Sequence, residues 1–339
     1  MELTTLWFLL IAGLFVGYFV LEGFDFGVGM LVPVLGRDDR ERRVVINTIG
    51  PLWDGNEVWL ITAGGAMFAA FPEWYASLFS GFYLPLLLIL LALILRGVAF
   101  DFRGKRPEAA WRRRWDWCIV FGSAVPAFVW GLVFANVVRG VPLDAGHNYV
   151  GGVLDLLNPY ALLGGATMVA LFLTHGAIFI ALKTSGDIRR RANVLAGRAG
   201  LGAAALAVLF LGLTVAHRGG TAAVVLSVLA ALCLVGGLIA NRLPARGGEG
   251  RREGWAFAGT AAAVALAVAS LFAGLHPYVL PSTVEPAVNS LTVLNAASSA
   301  YTLKIMSWVA LVFAPIVVLY QGWTYWVFRK RIGTQNIPE

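Results

Sequence analysis

Apolar residues run through this chain in long unbroken stretches, separated by short polar ones. "LPLLLILLALIL", starting at Leu84, and "TAAAVALAVASLF", starting at Thr260, show no alternation of period two. That argues against the strands of a membrane barrel, which would alternate lipid-facing and lumen-facing residues. Runs of about 20 apolar residues fit membrane-spanning helices, in which each backbone polar group is paired within its own segment. Nine such segments can be drawn, at about 4–34, 48–70, 78–100, 117–138, 158–182, 199–216, 222–241, 255–274 and 300–328. The expected fold class is therefore all-α, a polytopic integral membrane protein with nine transmembrane helices.

Composition supports this. Of the 339 residues, 59% are hydrophobic and 13% charged, whereas a soluble domain would carry about twice that charge. The start, "MELTTLWFLL", has no basic n-region and no A-x-A cleavage site, so the first helix is expected to remain in the mature protein. Cys118 and Cys233 lie inside apolar runs and form no CxxC, haem-attachment or zinc pattern.

The net charge of +7 could suggest nucleic acid, but its placement argues otherwise. All of the 26 Lys and Arg residues except Arg139, Arg218, Arg96 and Lys304 follow odd-numbered segments. They form the groups Arg37 to Arg43, Arg103 to Arg114, Lys183 to Arg198, Arg242 to Arg252 and Arg329 to Arg331. Under the positive-inside rule these groups are cytoplasmic, which puts the N-terminus outside and the C-terminus inside. They are the charge of a membrane-facing cytoplasmic surface, and no nucleic-acid partner is expected. The three longer connections, 101–116, 139–157 and 275–299, are too short to be domains. Gly13 with Gly17, and Gly23 with Gly27, give the small-residue spacing that lets helices approach closely.

Ionisable residues inside the segments are the candidates for function, because such groups are costly in a membrane. They are Glu22 and Asp25 in the first segment, Asp54 and Glu57 in "PLWDGNEVWL" of the second, Arg96 in the third and Lys304 in the ninth. Each acidic pair is spaced three residues apart, so both members can share a helix face. The alternating direction of the helices puts all five residues of the first three segments toward the cytoplasmic half. Four carboxylates there face one arginine, a charge balance that needs protons or water. Two readings stay open, a proton-conducting path and a structural ion network. Trp53 and Trp59 flank these carboxylates, while most other tryptophans sit near segment ends as interfacial anchors would. Of His147, His175, His217 and His276, only His175 lies within a segment, and no paired spacing of a di-haem bundle occurs. A phosphate-binding loop, a nucleophile elbow and a dinucleotide fingerprint are absent.

The stretches "GYFVLEGFDFGVGML", "GRDDRERRVVINTIGPLWDGNEVWLITAGGAMFAAFPEWYASLFSGFYLPL", "LRGVAFDFR", "WDW", "LNPYALLGG", "HPYVLPST" and "SLTVLNAASSAYTLKIMSWVALVFAPIVVLY" resemble subunit II of the cytochrome bd-type quinol oxidases. The resemblance covers nearly the whole chain and is weakest over 185–260. It implies two four-helix bundles, about 1–140 and about 158–274, plus a peripheral ninth helix at about 300–328. It implies a haem-bearing subunit I as partner, a small single-helix subunit in some complexes, and contact with membrane lipid and the quinone pool. The complex would lie in the bacterial cytoplasmic membrane, oxidise quinol, reduce O2 to water and take its protons from the cytoplasm. No cofactor is expected on this chain, the haems belonging to subunit I, although a structural quinone or lipid stays open.

By the same resemblance, Asp54 matches a position linked to a proton conduit. Asp25, Arg96 and Asp116 match positions tied to integrity or haem retention. The proton path is thus expected to comprise Asp54, Asp25, Glu57 and Glu22, supported by Arg96, Asp116, Trp53, Asn56 and Trp59. Glu57 departs from the family, which often has Gln there, and Lys304 stands where a neutral residue is usual. A proton-coupled secondary transporter is the alternative class, and it too would bury carboxylates among its helices.

Overall fold

The computed structural model describes residues 2–244 and 252–337, and Arg246 and Arg251 of the basic groups lie outside the described residues. The chain is mostly helical. In order, the helices are α1 (Leu3–Leu35), α2 (Asp39–Ile49), α3 (Trp53–Ala70), α4 (Pro72–Gly81), α5 (Tyr83–Phe102), α6 (Ala109–Arg139), α7 (Pro159–Lys183), α8 (Gly186–Arg218), α9 (Thr221–Arg242), α10 (Glu253–Leu275), α11 (Pro286–Asn289) and α12 (Ala300–Val327). A two-stranded antiparallel ladder, β1 (Tyr278–Leu280) and β2 (Leu291–Thr292), lies between α10 and α12.

Among the described residues, eight helices are long and apolar enough to cross a membrane: α1, α5, α6, α7, α8, α9, α10 and α12. The segment drawn at 48–70 is the 18-residue α3, which carries Asp54, Asn56 and Glu57 in its first two turns and is less apolar than the eight. Residues 48 and 49 belong instead to α2. The segment drawn at 78–100 is divided, with α4 ending at Gly81 and α5 starting at Tyr83. Pro72 explains the end of α3. Phe71 before it takes φ −137° and ψ 70°, away from the helical region, as a residue preceding proline prefers, and Pro72 then occupies the start of α4.

Two further boundaries differ from the sequence reading. α6 begins at Ala109 and α8 at Gly186, so Arg112 to Arg114 and Arg189 to Arg198 lie on helices rather than in loops. Helices of 31 and 33 residues rise about 1.5 Å per residue and exceed a hydrocarbon core of about 30 Å. Their polar first turns extend beyond the apolar run.

α1 is the central element. From Glu22 to Val32 every residue is buried, so this half of the helix is covered on all sides. In its first half, Phe8, Phe15 and Phe19 join Trp130, Phe134 and Phe272 in a cluster of ring contacts, several of them edge-to-face. In its second half, α1 meets α7 backbone to backbone. A Cβ at Gly27 would overlap the Phe172 carbonyl oxygen and lie 2.8 Å from Gly176 Cα. Gly17 faces the Trp59 ring and Gly23 the Phe172 ring, whereas Gly13 faces open space. Of the two GxxxG spacings, the Gly23–Gly27 pair is the one used for a helix crossing.

The basic segments meet at one end of the molecule through direct ion pairs. Arg191 contacts Glu41 at 2.7 Å, and Arg189 and Arg331 hold the buried Glu253 at 2.7 and 3.3 Å. Arg40 donates to the Thr334 and Ile337 carbonyls, tying the C-terminal segment to α2. At the opposite end Arg218 donates to the Val138 carbonyl at 3.0 Å.

α12 stands apart: Leu303 is its only buried residue. Trp7 Nε1 donates to the Leu303 carbonyl at 3.1 Å and to Ser307 Oγ at 3.0 Å, fastening its first turns to α1. Trp7→Phe keeps an aromatic side chain but removes the donor and part of the buried ring, at a cost of about 1 kcal/mol for the hydrogen bonds and more for the lost packing. Limited proteolysis of the purified complex should then release α12 earlier than in the parent. Unchanged cleavage would mean that α12 is held by other contacts.

Candidate functional site

The acidic residues of α1 and the arginine of α5 come together in the buried half of α1. Glu22, Asp25, Asn56 and Arg96 are fully buried. Arg96 Nη1 bonds to Glu22 Oε1 and lies 3.3 Å from Glu57 Oε1, so two carboxylates share one nitrogen. The Glu57 side chain keeps 22% of its exposure, which makes it the least buried of the three carboxylates. The guanidinium carbon lies 4.9 Å from the centre of the Phe26 ring and 5.6 Å from that of Phe100, a cationic stacking that suits Arg better than Lys.

Asp25 is bound differently. Asn56 Nδ2 donates to Asp25 Oδ2 at 2.6 Å. The Asn56 carbonyl oxygen in turn accepts from Gln321 Nε2 at 2.8 Å and from Tyr325 Oη at 2.9 Å. The far end of α12 thus closes over the site, and the two donors fix which way the Asn56 amide points.

The group is not fully paired among the described residues. Glu22 Oε2, Asp25 Oδ1, Arg96 Nε, Arg96 Nη2 and the Tyr18 hydroxyl are buried without a hydrogen bond of good geometry to any described residue. Tyr18 lies one helical turn before Glu22 on α1. Buried polar atoms of this kind are costly unless water or a ligand reaches them. The geometry therefore combines three carboxyl groups, one guanidinium and a phenol around atoms still able to bond.

The other residues singled out from sequence lie around or apart from this group. Asp54, one turn before Glu57, is exposed, and it makes no hydrogen bond or ion pair among the described residues. The group lies at the level of Glu57, one turn further along α3 than Asp54. Trp53 packs on Phe100 with ring centres 5.1 Å apart, and Trp59 covers Gly17. Asp116 is buried in a separate network. Its Oδ1 accepts from Arg103 Nε at 2.5 Å and its Oδ2 from Arg42 Nη1 at 2.9 Å, while Asp39 bridges Arg103 and Arg112. Lys304 is exposed on the first turns of α12. His175 has both ring nitrogens engaged, Nδ1 with Thr260 Oγ1 at 2.7 Å and Nε2 with the Val20 carbonyl at 3.3 Å, and it stacks on Phe257. Both ring nitrogens are thus satisfied within the helix bundle.

Sequence reasoning missed Tyr18, Gln321 and Tyr325. Gln321 carried a signal, a lone amide in the apolar stretch "VVLYQGW". Tyr18 is separated from Glu22 by four positions, a spacing that also shares a helix face.

Comparison with known proteins agrees with this arrangement of helices. The family model for cytochrome bd terminal oxidase subunit II matches residues 3–328. The chain is 46% identical over 338 residues to cytochrome bd ubiquinol oxidase subunit 2 of Bacillus subtilis, covering 98% of this chain and 97% of that protein. It is 37% identical over 367 residues to cytochrome bd-I ubiquinol oxidase subunit 2 of Escherichia coli K12, covering 98% and 96%. A chain in the structure of the bd oxidase from Geobacillus thermodenitrificans shares the fold, with a TM-score of 0.75 over 97% of this chain and 100% of that one at 18% identity. The chain therefore belongs to the cytochrome bd terminal oxidase subunit II family, as a multi-pass bacterial inner-membrane subunit of a quinol:O2 oxidoreductase complex.

Proposed function

We propose that the Glu22–Asp25–Glu57–Arg96 group is a hydrated relay that carries protons from the cytoplasm toward a haem-bearing subunit I. Asp54 forms its solvent-side mouth, Glu57 the next acid inward, and Glu22 and Asp25 its buried part. The observation that carries this reading is the set of buried polar atoms on Tyr18, Glu22, Asp25 and Arg96 left without a hydrogen bond of good geometry among the described residues. One guanidinium balances one carboxylate, so the surplus carboxylates have to be neutralised by protons or solvated by water. A purely structural network would be expected to pair its members more completely.

In this reading the protein crosses the membrane nine times, with α3 as the additional span. The N-terminus lies outside and the basic end in the cytoplasm, which supplies the protons. Residues 1–140 and 158–274 are two four-helix units, and α12 is the peripheral helix. The chain itself is haem-free and supports the subunit that oxidises quinol and reduces O2. A small single-helix subunit completes some complexes, and a quinone or lipid can be held structurally. Arg42, Arg103 and Asp116 brace the basic end below the relay.

Asp54→Asn tests the relay. The residue is exposed and unpaired, so the amide should leave assembly and the haem spectrum unchanged. Loss of a positioned proton carrier should slow quinol-driven O2 consumption roughly tenfold or more. Glu57→Gln should slow it less, because Glu22 still holds Arg96 Nη1. Full turnover in Asp54→Asn would remove Asp54 from the path.

A further inference from the structure

The basic end carries a groove that the relay does not use. It lies between the end of α1 and the start of α8 and encloses about 310 Å³. Its apolar surface comes from Val34, Leu35, Val194 and Leu195, and its charge from Arg190, Arg191 and Arg198. Apolar lining with several cations at one edge matches an amphiphile with a negative head. Arg190, Val194 and Arg198 repeat every four residues and so share one face of α8.

That face continues into the membrane. Leu201 follows Arg198 by three positions, then Ala205 and Val208, and all three are exposed. Leu201 retains 59% and Val208 61% of their exposure. A single stripe thus passes from arginine at the headgroup level to bare aliphatic surface at the acyl level. Long helices of this kind place their basic first turns just beyond the hydrocarbon core.

The arginines differ in how far they are already engaged. Arg191 pairs with Glu41 at 2.7 Å and donates to the Leu35 carbonyl at 2.8 Å, while its buried Nε has no hydrogen-bond partner among the described residues. Arg190 makes an exposed pair with Asp187 at 3.1 Å. Arg198 is exposed and makes no ion pair or hydrogen bond among the described residues. We infer that this groove binds one anionic phospholipid, its phosphate between Arg198 and Arg190 and an acyl chain along Leu201, Ala205 and Val208. A neutral lipid would leave the arginines unmatched, and a free phosphate would leave the apolar surface bare.

The test uses the assembled oxidase complex, reconstituted with limiting phosphatidylglycerol, re-extracted and read by native mass spectrometry. The parent should retain one more phosphatidylglycerol than the double variant R190Q/R198Q. Occupancy should fall on the order of fivefold for each charge removed. The variant R190K/R198K should keep most of it, which separates charge from local packing. Replacing phosphatidylglycerol by phosphatidylcholine should abolish the difference, and excess inorganic phosphate should not displace the lipid. Equal retention by parent and R190Q/R198Q, a difference that persists with phosphatidylcholine, or displacement by phosphate would each overturn the inference.

Discussion

Arg96→Ala should destabilise the assembled complex by about 3–5 kcal/mol, the usual cost of removing one partner from a buried ion pair. The site makes the upper part of that range the expected result. A single nitrogen of Arg96 serves both Glu22 and Glu57, and the guanidinium is packed against two phenyl rings. Its removal strands two carboxylates and opens space beside Phe26. Complex yield and thermal midpoint in detergent read the effect. Arg96→Lys should recover only part of the loss, because an ammonium cannot stack as a planar cation does. Adding Glu22→Gln to Arg96→Ala should restore stability, since the buried charge left behind is what costs most. If the double variant were no better than Arg96→Ala alone, lost packing rather than stranded charge would be the cause.

Gly27→Ala should be the second severe change, at about 1–3 kcal/mol or more. The added methyl meets the backbone carbonyl of Phe172, and backbone within two packed helices cannot turn aside as a side chain can. α1 and α7 would have to separate along the half of α1 that carries Glu22 and Asp25. Gly176→Ala presses on the same contact from the other side. The two together should therefore cost less than their sum. Gly13→Ala, which faces open space, should be neutral or slightly stabilising. Thermal midpoints of the four complexes decide this, and a normal midpoint for Gly27→Ala would show that the crossing can yield.

The helices were legible because membrane spans write themselves as long apolar runs. The exception is instructive. α3 carries an acid, an amide and a second acid in its first two turns, so its run is weak where its chemistry is dense. The charged ends of α6 and α8 read as loops because hydropathy reports the hydrocarbon core, not the end of the helix. Glu22, Asp25, Glu57 and Arg96 could be gathered from span direction and depth alone. Spacing could not separate Asp54 from Glu57. Positions three apart share a face but differ in height by about 4.5 Å, and that height decides which of them reaches Arg96. The pairing of Asp25 with Asn56, and of Asn56 with Gln321 and Tyr325, joins positions far apart in the chain, and no local pattern encodes it.

The contact of α12 with Asn56 has a consequence for biogenesis. Gln321 and Tyr325 follow the other long helices in the order of translation, yet they cap a site whose acids lie in α1 and α3, near the start of the chain. A ribosome-bound intermediate that has inserted α1 to α5 already holds Glu22, Asp25, Asn56, Glu57 and Arg96, but the Asn56 carbonyl oxygen still lacks its two donors from α12. The site stays open throughout elongation and closes only as synthesis nears its finish, so premature termination upstream of Gln321 yields a bundle with its acids unsealed.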